Sequence, residues 1–195
     1  MAGELISEEA VLGLDDSDHE LPHHLRWWLP ITLFVLLLGL LVALAAGQVE
    51  GRETELSANL APDFEMILLG EEQEIRLSQF RGQGVVVNFW ASWCYPCRQE
   101  MALLESSWLA YRDEGVVFIG VNVWDEEAEA LAFLKESGVT YMNGGDFDGD
   151  VAETNGLQGV PTTLFISSDG RLQHTIYGLL DGESLTHAIE SIIPE

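Results

Sequence analysis

The chain has 195 residues, of which 47% are hydrophobic and 21% charged, which is enough apolar material for a core and excludes a disordered or fibrous chain. Eight Lys and Arg stand against 33 Asp and Glu, and the formal net charge of −25 excludes nucleic acid and anionic lipid head groups as partners. The two cysteines are too few for a scaffold of several disulfides.

The first element in chain order is an apolar segment without a charge, from Trp27 to Val49. About 20 apolar residues in a helix span the hydrocarbon core of a bilayer. Trp27 and Trp28 suit the membrane interface, and Pro30 fits the first turn of a helix. We therefore predict an uncleaved transmembrane signal anchor at residues 27–47.

The segments on either side of this span do not fix its orientation, since one arginine lies before it (Arg26) and one after it (Arg52). Residues 1–26 have a net charge of −6 and are predicted to form a flexible acidic tail in the cytoplasm, whereas residues 48–60 form a polar linker. A cleaved signal peptide is the alternative, because Ala43-Leu44-Ala45 is similar to a cleavage site, but the long acidic tail before it favours the anchor.

Residues 61–195 alternate between strand and helix patterns and predict one α/β domain with a mixed central sheet. The predicted strands are Phe64–Leu69, Gln73–Leu77, Val85–Trp90, Val116–Val123, Thr162–Ile166 and Arg171–Tyr177. The predicted helices are one that follows Cys94 and ends at Gly115, one from Asp125 to Ser137, and one that Asp181 caps.

The two cysteines lie where the strand Val85–Trp90 meets its helix, in the order Cys94-Tyr95-Pro96-Cys97. A thiol at a helix N-terminus faces unpaired N–H groups and the positive end of the helix dipole, which both favour the thiolate. We therefore predict that Cys94 is the exposed, attacking sulfur and that Cys97, one turn further on, is more buried and resolves a mixed disulfide. A purely stabilising disulfide is a weak alternative, because so short a loop contributes little chain entropy, and a zinc site lacks a second cysteine pair.

Two segments resemble thioredoxin-fold proteins: Phe89 to Cys97 resembles their active-site segment, and Gly159 to Ile166 resembles their cis-proline loop with the strand that follows. The resemblance covers about residues 58–195. The stretch from Asp125 to about Phe147 is similar to the insertion of TlpA/ResA-type proteins, which are membrane-anchored and face outward. The resemblance thus implies a thioredoxin fold with a TlpA-type insertion, preceded here by one N-terminal transmembrane helix.

The resemblance also implies roles for residues around the cysteines. Pro161 is expected to be the cis-proline that faces the cysteines, with the Val160 backbone pairing to a bound polypeptide. Trp93 is expected to shield the sulfurs, and Tyr95 and Pro96 complete the predicted substrate-binding set.

An acidic residue is expected to join the two cysteines in catalysis. Glu100 occupies the position, three residues after Cys97, where ResA-like proteins have an active-site acid that exchanges a proton as the thiols react. A solvated helix glutamate is the alternative at this position. Thioredoxin itself has a buried aspartate where this chain has Asn88, which cannot titrate, and this difference favours Glu100 as the proton carrier.

These features together predict a membrane-anchored, extracytoplasmic thiol–disulfide oxidoreductase that reduces protein disulfides, since protein disulfides persist mainly outside the cytosol. The Cys94–Cys97 pair is the redox-active centre, and neither a dissociable cofactor nor a metal is expected. The family implies apocytochrome c, during cytochrome c maturation, as a substrate and a membrane thiol-reductant as the electron donor.

Two other functions remain open from the sequence. A peroxidase of the alkyl hydroperoxide reductase/thiol-specific antioxidant type shares the fold, but its Pro-x-x-x-Thr-x-x-Cys loop is replaced here by Val87 and Ala91 at the Pro and Thr positions. A non-enzymatic copper carrier would use Cys-x-x-x-Cys and a distal histidine, for which His174 is the candidate, but this chain has Cys-x-x-Cys.

Overall fold

The computed structural model describes residues 31, 33–41 and 59–194, and the chain divides into two units, Met1–Arg52 and Glu53–Glu195. In the first unit, residues 31 and 33–41 are helical and their large apolar side chains are exposed. Within the described ranges, no helix combines the length and the apolar character needed to cross a membrane. The rest of the predicted anchor at 27–47, the tail at 1–26 and all but the last two residues of the 48–60 linker lie outside the described residues.

The described part of the second unit is built on one mixed sheet of seven strands in the order β2-β1-β5-β4-β3-β6-β7. The central strand pairs β3–β4 and β4–β5 are parallel, and the outer pairs are antiparallel. The strands are β1 (Glu65–Leu68), β2 (Glu74–Arg76), β3 (Gly84–Trp90), β4 (Val116–Val123), β5 (Met142–Asp146), β6 (Thr162–Ile166) and β7 (Leu172–Tyr177).

In residues 59–194, four α-helices and two short 3-10 helices pack against this sheet. The α-helices are α1 (Tyr95–Tyr111), α2 (Glu127–Ser137), α3 (Asp150–Thr154) and α4 (Gly182–Glu190), and the 3-10 helices are Leu77–Phe80 and Arg112–Glu114. One buried apolar cluster contains side chains of α1, α2 and α4, and a second contains those of α3. The predicted α/β fold with a mixed sheet flanked by helices is therefore confirmed.

Strand β3 shows how the sequence produces two apolar layers. Its seven residues are all buried, and because side chains alternate between the two faces of a sheet, they divide between the two clusters. Val86 and Trp90 belong to the cluster that also contains Cys94 and Cys97, whereas Val85, Val87 and Phe89 belong to the other. The strand that precedes the cysteines is therefore packed on both faces, and this packing fixes the position from which the cysteine loop starts.

The predicted hairpin at the start of the domain is confirmed by the antiparallel pairing of β1 with β2, but two elements escaped the sequence pattern. Strand β5 has the sequence Met142-Asn143-Gly144-Gly145-Asp146, which lacks the apolar alternation of a strand. It forms because β4 and β1 pair with it on either side. Glycine suits position 144, since an added Cβ would lie 2.7 Å from Met66 Cγ and 2.9 Å from the backbone carbonyl oxygen of Ile67. The second missed element is the short helix α3.

Replacing Gly120 with alanine is expected to destabilise the domain by about 3 kcal/mol. Gly120 lies on β4, and an added Cβ would overlap Asn143 Oδ1, which accepts a hydrogen bond of 2.9 Å from the buried Trp90 indole N–H. Urea unfolding followed by far-UV circular dichroism measures the change. Gly182→Ala is the matched control, because the nearest atom to its added Cβ is Leu103 Cδ1 at 3.9 Å. Equal midpoints for the two variants would contradict this packing.

Candidate active site

Cys94 and Cys97 are joined by a disulfide at the N-terminus of α1, directly after the loop that leaves β3. Cys94 is the N-cap residue of the helix, and its Sγ accepts a hydrogen bond of 3.2 Å from the backbone N–H of Cys97. Pro96 lies in the first turn, where its missing N–H costs no intrahelical hydrogen bond. A negative charge that forms on Cys94 after reduction is therefore met by a helix terminus and by a donor already in place.

The two sulfurs differ little in exposure in the oxidised protein. Cys94 is 4% exposed and Cys97 is 0% exposed. Cys97 is therefore the more buried of the two, as predicted, but the prediction that Cys94 is exposed is wrong. Both cysteines pack into the apolar cluster under α1, and that packing covers them. The neighbouring aromatic side chains are the exposed ones, Trp93 at 60% and Tyr95 at 70%.

In the reduced protein, Cys94 is expected to be alkylated by iodoacetamide on the order of ten times faster than Cys97. Cys94 is at the helix terminus with an N–H aimed at its sulfur, whereas Cys97 is fully buried. Peptide mass spectrometry of briefly labelled protein measures both rates, and the single variants Cys94→Ala and Cys97→Ala separate the two sulfurs. Faster labelling of Cys97 would reverse the roles of the two residues.

The Val160–Pro161 peptide bond is cis, the conformation that the sequence predicts. Pro161 directly precedes β6, whose first residue, Thr162, pairs with Phe89 near the end of β3. The cis-proline loop therefore lies beside the end of β3 from which the cysteine loop leaves. Val160 packs against the cluster that contains both cysteines, and the binding of a polypeptide by its backbone stays a prediction.

Glu100 is buried, with 1% of its surface exposed, and is therefore not the solvated glutamate that the sequence left as the alternative. Its Oε1 accepts a hydrogen bond of 2.9 Å from Asn88 Nδ2, and its Oε2 accepts one of 3.0 Å from the backbone N–H of Leu180. Burial raises the pKa of this carboxyl above its ordinary value, and the two hydrogen bonds oppose that rise. A carboxyl group with a raised pKa, one helical turn beyond Cys97, can exchange a proton with the thiols.

Asn88 connects Glu100 to the strand of the cis-proline. Its Nδ2 donates both to Glu100 and, over 3.0 Å, to Thr163 Oγ1 on β6, while its own Oδ1 is buried without a hydrogen-bond partner among the described residues. The sequence identified Asn88 only as a residue that cannot titrate. The structure shows that Asn88 donates a hydrogen bond that orients Glu100. This contact joins β3 to α1 and cannot be predicted from the local sequence.

Two further side chains have other partners in the structure. Arg98 forms an ion pair of 2.8 Å with Glu136 on α2, and its guanidinium lies 4.5 Å from the centre of the Phe133 ring. His174, the candidate copper ligand, is on the outer strand β7, and the centre of its ring lies 6.4 Å from that of His187. Among the described residues there is no group of three or more His, Cys, Asp or Glu side chains that could hold a metal ion.

Comparison with known proteins agrees with this geometry. The AhpC/TSA family matches residues 58–175. The thiol-disulfide oxidoreductase ResA of Geobacillus thermodenitrificans is 34% identical over 82% of this chain and 94% of its own. The protein of the same name from Oceanobacillus iheyensis is 28% identical over 84% of this chain and 86% of its own.

A solved structure gives the same result. The crystal structure described as a thiol:disulfide interchange protein DsbE from Chlorobium tepidum has a TM-score of 0.66 and 28% identity, and it covers 69% of this chain and 96% of its own. The relatives named ResA favour disulfide exchange over the peroxidase alternative. The side chains of Val87 and Ala91 agree with this, because both are apolar and supply no polar group for a peroxide. The chain therefore belongs to the AhpC/TSA family and is a thiol–disulfide oxidoreductase with a thioredoxin-like fold.

Proposed function

We propose that this oxidoreductase reduces disulfide bonds of exported proteins at the outer face of the cytoplasmic membrane, to which its N-terminal segment anchors it. The observation that supports disulfide exchange most directly is the Cys94–Cys97 pair at the start of α1, followed one turn later by the buried Glu100. A disulfide with a purely stabilising role needs no buried carboxyl group beside it, whereas a dithiol that gains and loses protons does.

The proposed reaction transfers two electrons from the dithiol to the substrate. The Cys94 thiolate attacks one sulfur of a substrate disulfide, forming a mixed disulfide and releasing the other substrate sulfur as a thiolate. Cys97 loses its proton and attacks Cys94 Sγ, which frees the second substrate thiol and leaves the Cys94–Cys97 disulfide. The dithiol needs no dissociable cofactor for this step, and a membrane thiol reductant restores it for the next cycle.

The proposed location follows from the sequence and from the chemistry. The uncharged stretch from Trp27 to Val49 has the length of a membrane anchor. Since protein disulfides persist mainly outside the cytosol, the thioredoxin-like domain finds its substrates there. The tail at residues 1–26 then lies in the cytoplasm.

The charge of the protein supports a basic substrate. The part of the chain after the proposed anchor holds 26 of the 33 acidic and 7 of the 8 basic residues, and its formal net charge of −19 attracts cationic proteins and repels acidic ones. An apocytochrome c, which must keep its haem-binding cysteines reduced, is the substrate that we propose within this class. Electrostatic attraction of this kind raises the rate of association and weakens as salt is added.

Protease added to intact spheroplasts is expected to digest the thioredoxin-like domain and to leave an epitope tag at the N-terminus protected. A cytoplasmic enzyme that stays intact in the same sample controls for lysis, and detergent should make the tag accessible. Full protection of the domain with digestion of the tag would overturn the proposed location, while leaving the disulfide chemistry standing.

A further inference from the structure

The loop before Cys94 is tied to a second loop by two adjacent contacts. Strands β3 and β4 are parallel neighbours, with Trp90 opposite Asn122, so the segments that follow them leave the sheet at the same edge. There, Ser92 bonds to Asp125 and Trp93 bonds to Trp124. These four residues, Ser92, Trp93, Trp124 and Asp125, are called the clasp below.

The carboxylate of Asp125 accepts most of the hydrogen bonds that form the clasp. Its Oδ2 accepts the backbone N–H of Ser92 at 2.6 Å and the side-chain amide of Asn122 at 2.9 Å. Its Oδ1 accepts the Ser92 hydroxyl at 2.8 Å and the backbone N–H of Glu126 at 3.0 Å. Every one of these groups is a donor, so both oxygens must accept and the ionised form fits the site.

The ionised form is also the form expected at neutral pH. Partial burial of Asp125 raises the pKa of its carboxyl, but the hydrogen bonds from Asn122, Ser92 and Glu126 outweigh burial, and the pKa is lowered overall. The stabilisation from a lowered pKa is present above the ordinary value and is lost only as the pH falls through the lowered one. The clasp is therefore intact throughout the neutral range.

Trp124 provides the second half of the clasp from an unusual backbone conformation. Its φ is +53°, in the left-handed region that non-glycine residues rarely adopt and that costs free energy. In this conformation its carbonyl oxygen accepts a hydrogen bond of 3.0 Å from the Trp93 indole N–H. The Trp93 ring is thus held by one edge while 60% of the residue remains exposed.

The held tryptophan also borders a groove. The groove has a volume of about 350 Å³ and lies between the start of α1 and helix α2, with Trp93, Asp125, Glu129 and Phe133 in its walls. Trp93 immediately precedes Cys94, whose N–H donates to the carbonyl of Ala91 at 3.1 Å. A polypeptide whose disulfide reaches Cys94 therefore passes next to Trp93.

We propose that Asp125 is a positioning residue for disulfide exchange, which fixes the Ser92–Trp93 segment so that the Trp93 indole forms a rigid wall for the polypeptide around the substrate disulfide. This inference rests on the proposed function, because it needs a polypeptide substrate. Asp125 itself touches neither sulfur nor substrate in this mechanism. It acts by removing the cost of ordering Trp93 when the polypeptide binds.

The test measures single-turnover reduction of a disulfide-bonded peptide by the pre-reduced full-length protein in detergent, as a function of peptide concentration. Asp125→Ala is expected to raise the half-saturating peptide concentration about tenfold and to leave the maximal rate within about twofold, since docking changes and chemistry does not. Reduction of a small disulfide such as oxidised glutathione should change little. Asp169→Ala is the matched control, because Asp169 also accepts from a serine hydroxyl, that of Ser167, but in the β6–β7 hairpin.

A double-mutant cycle separates this role from a general structural one. If Asp125 acts through Trp93, Asp125→Ala has no further effect in a Trp93→Ala background. Ser92→Ala removes one hydroxyl donor and keeps the backbone N–H, so it should give a smaller rise of about threefold, and it serves in place of Asp125→Ala if that variant fails to fold.

Three results would overturn the inference. These are an unchanged half-saturating concentration in both clasp variants, additive effects of Asp125→Ala and Trp93→Ala, or an equal loss of rate with the small disulfide. A wild-type protein that reduces no peptide disulfide would instead refute the proposed function, so the two failures are distinguishable.

Discussion

Replacing Cys97 with alanine is expected to stop turnover and to accumulate a mixed disulfide between Cys94 and the natural substrate. Cys94 still caps α1 in this variant. Its Sγ still accepts a hydrogen bond from the backbone N–H of residue 97, because alanine keeps that N–H. Its attack on a substrate disulfide therefore remains possible, but no second thiol is in place to resolve the product. Multiple-turnover reduction should fall to the background rate of the uncatalysed exchange.

Non-reducing electrophoresis of membranes from cells that express the variant detects the trapped complex, and mass spectrometry identifies the partner. Cys94→Ala is the control, since it should lose turnover without forming a complex. Complexes that form equally through Cys97 when Cys94 is absent would show that the assignment of the two sulfurs is wrong. The proposed substrate class requires the trapped partner to be an exported protein that has a cysteine pair. A partner that is not exported, or that has no cysteine pair, would contradict it.

The parts of the domain that the sequence predicted are those whose cause is local. Strands β3 and β4 are runs of β-branched and apolar residues, and such runs are buried on both faces wherever they form. The cysteine pair and the cis-proline were found because each lies in a short segment similar to a known motif. Strand β5 was missed because its residues between Met142 and Asp146 are polar or glycine, and only pairing with β4 and β1 makes them a strand.

The surroundings of the site could not be predicted for the same physical reason. The N–H that bonds Glu100 belongs to Leu180, 80 residues along the chain. Asp125 was interpreted as the first residue of a helix, where an aspartate is common, yet α2 begins at Glu127 and the Asp125 carboxylate bonds Ser92, 33 residues earlier. These contacts exist only because the sheet brings the ends of β3, β4 and β7 to the same edge.

Glu100→Gln is expected to slow the reduction of peptide disulfides on the order of 100-fold near neutral pH. Glutamine keeps the shape of the side chain but can neither take nor give a proton. It also removes a negative charge one helical turn from Cys97, so the pKa values of the thiols should fall, since a carboxylate beside a forming thiolate is unfavourable. A lower thiol pKa together with a slower reaction is the signature of lost proton exchange.

The same substitution should leave the fold intact and raise the free energy of unfolding at neutral pH. Within the part of the chain that the structure describes, Asn88 Oδ1 has no hydrogen-bond partner, so rotation of the Asn88 amide can present an acceptor to the new amide group in place of its donor. The raised pKa of Glu100 means that its ionisation opposes folding, with the full stability present below the ordinary value of 4.5 and lost as the pH rises through the folded-state pKa. The variant should therefore match the wild type near pH 4 and exceed its unfolding free energy at neutral pH.

Thiol alkylation rates against pH, single-turnover reduction and urea unfolding at two pH values measure these three effects. Glu105→Gln is the matched control on the same helix, because that carboxylate is bound by Thr140 and not by Asn88 or Leu180. Its alkylation and reduction curves should follow the wild type. If the Glu100→Gln curves do so as well, Glu100 has no part in the exchange of protons, and its burial beside the cysteines is structural.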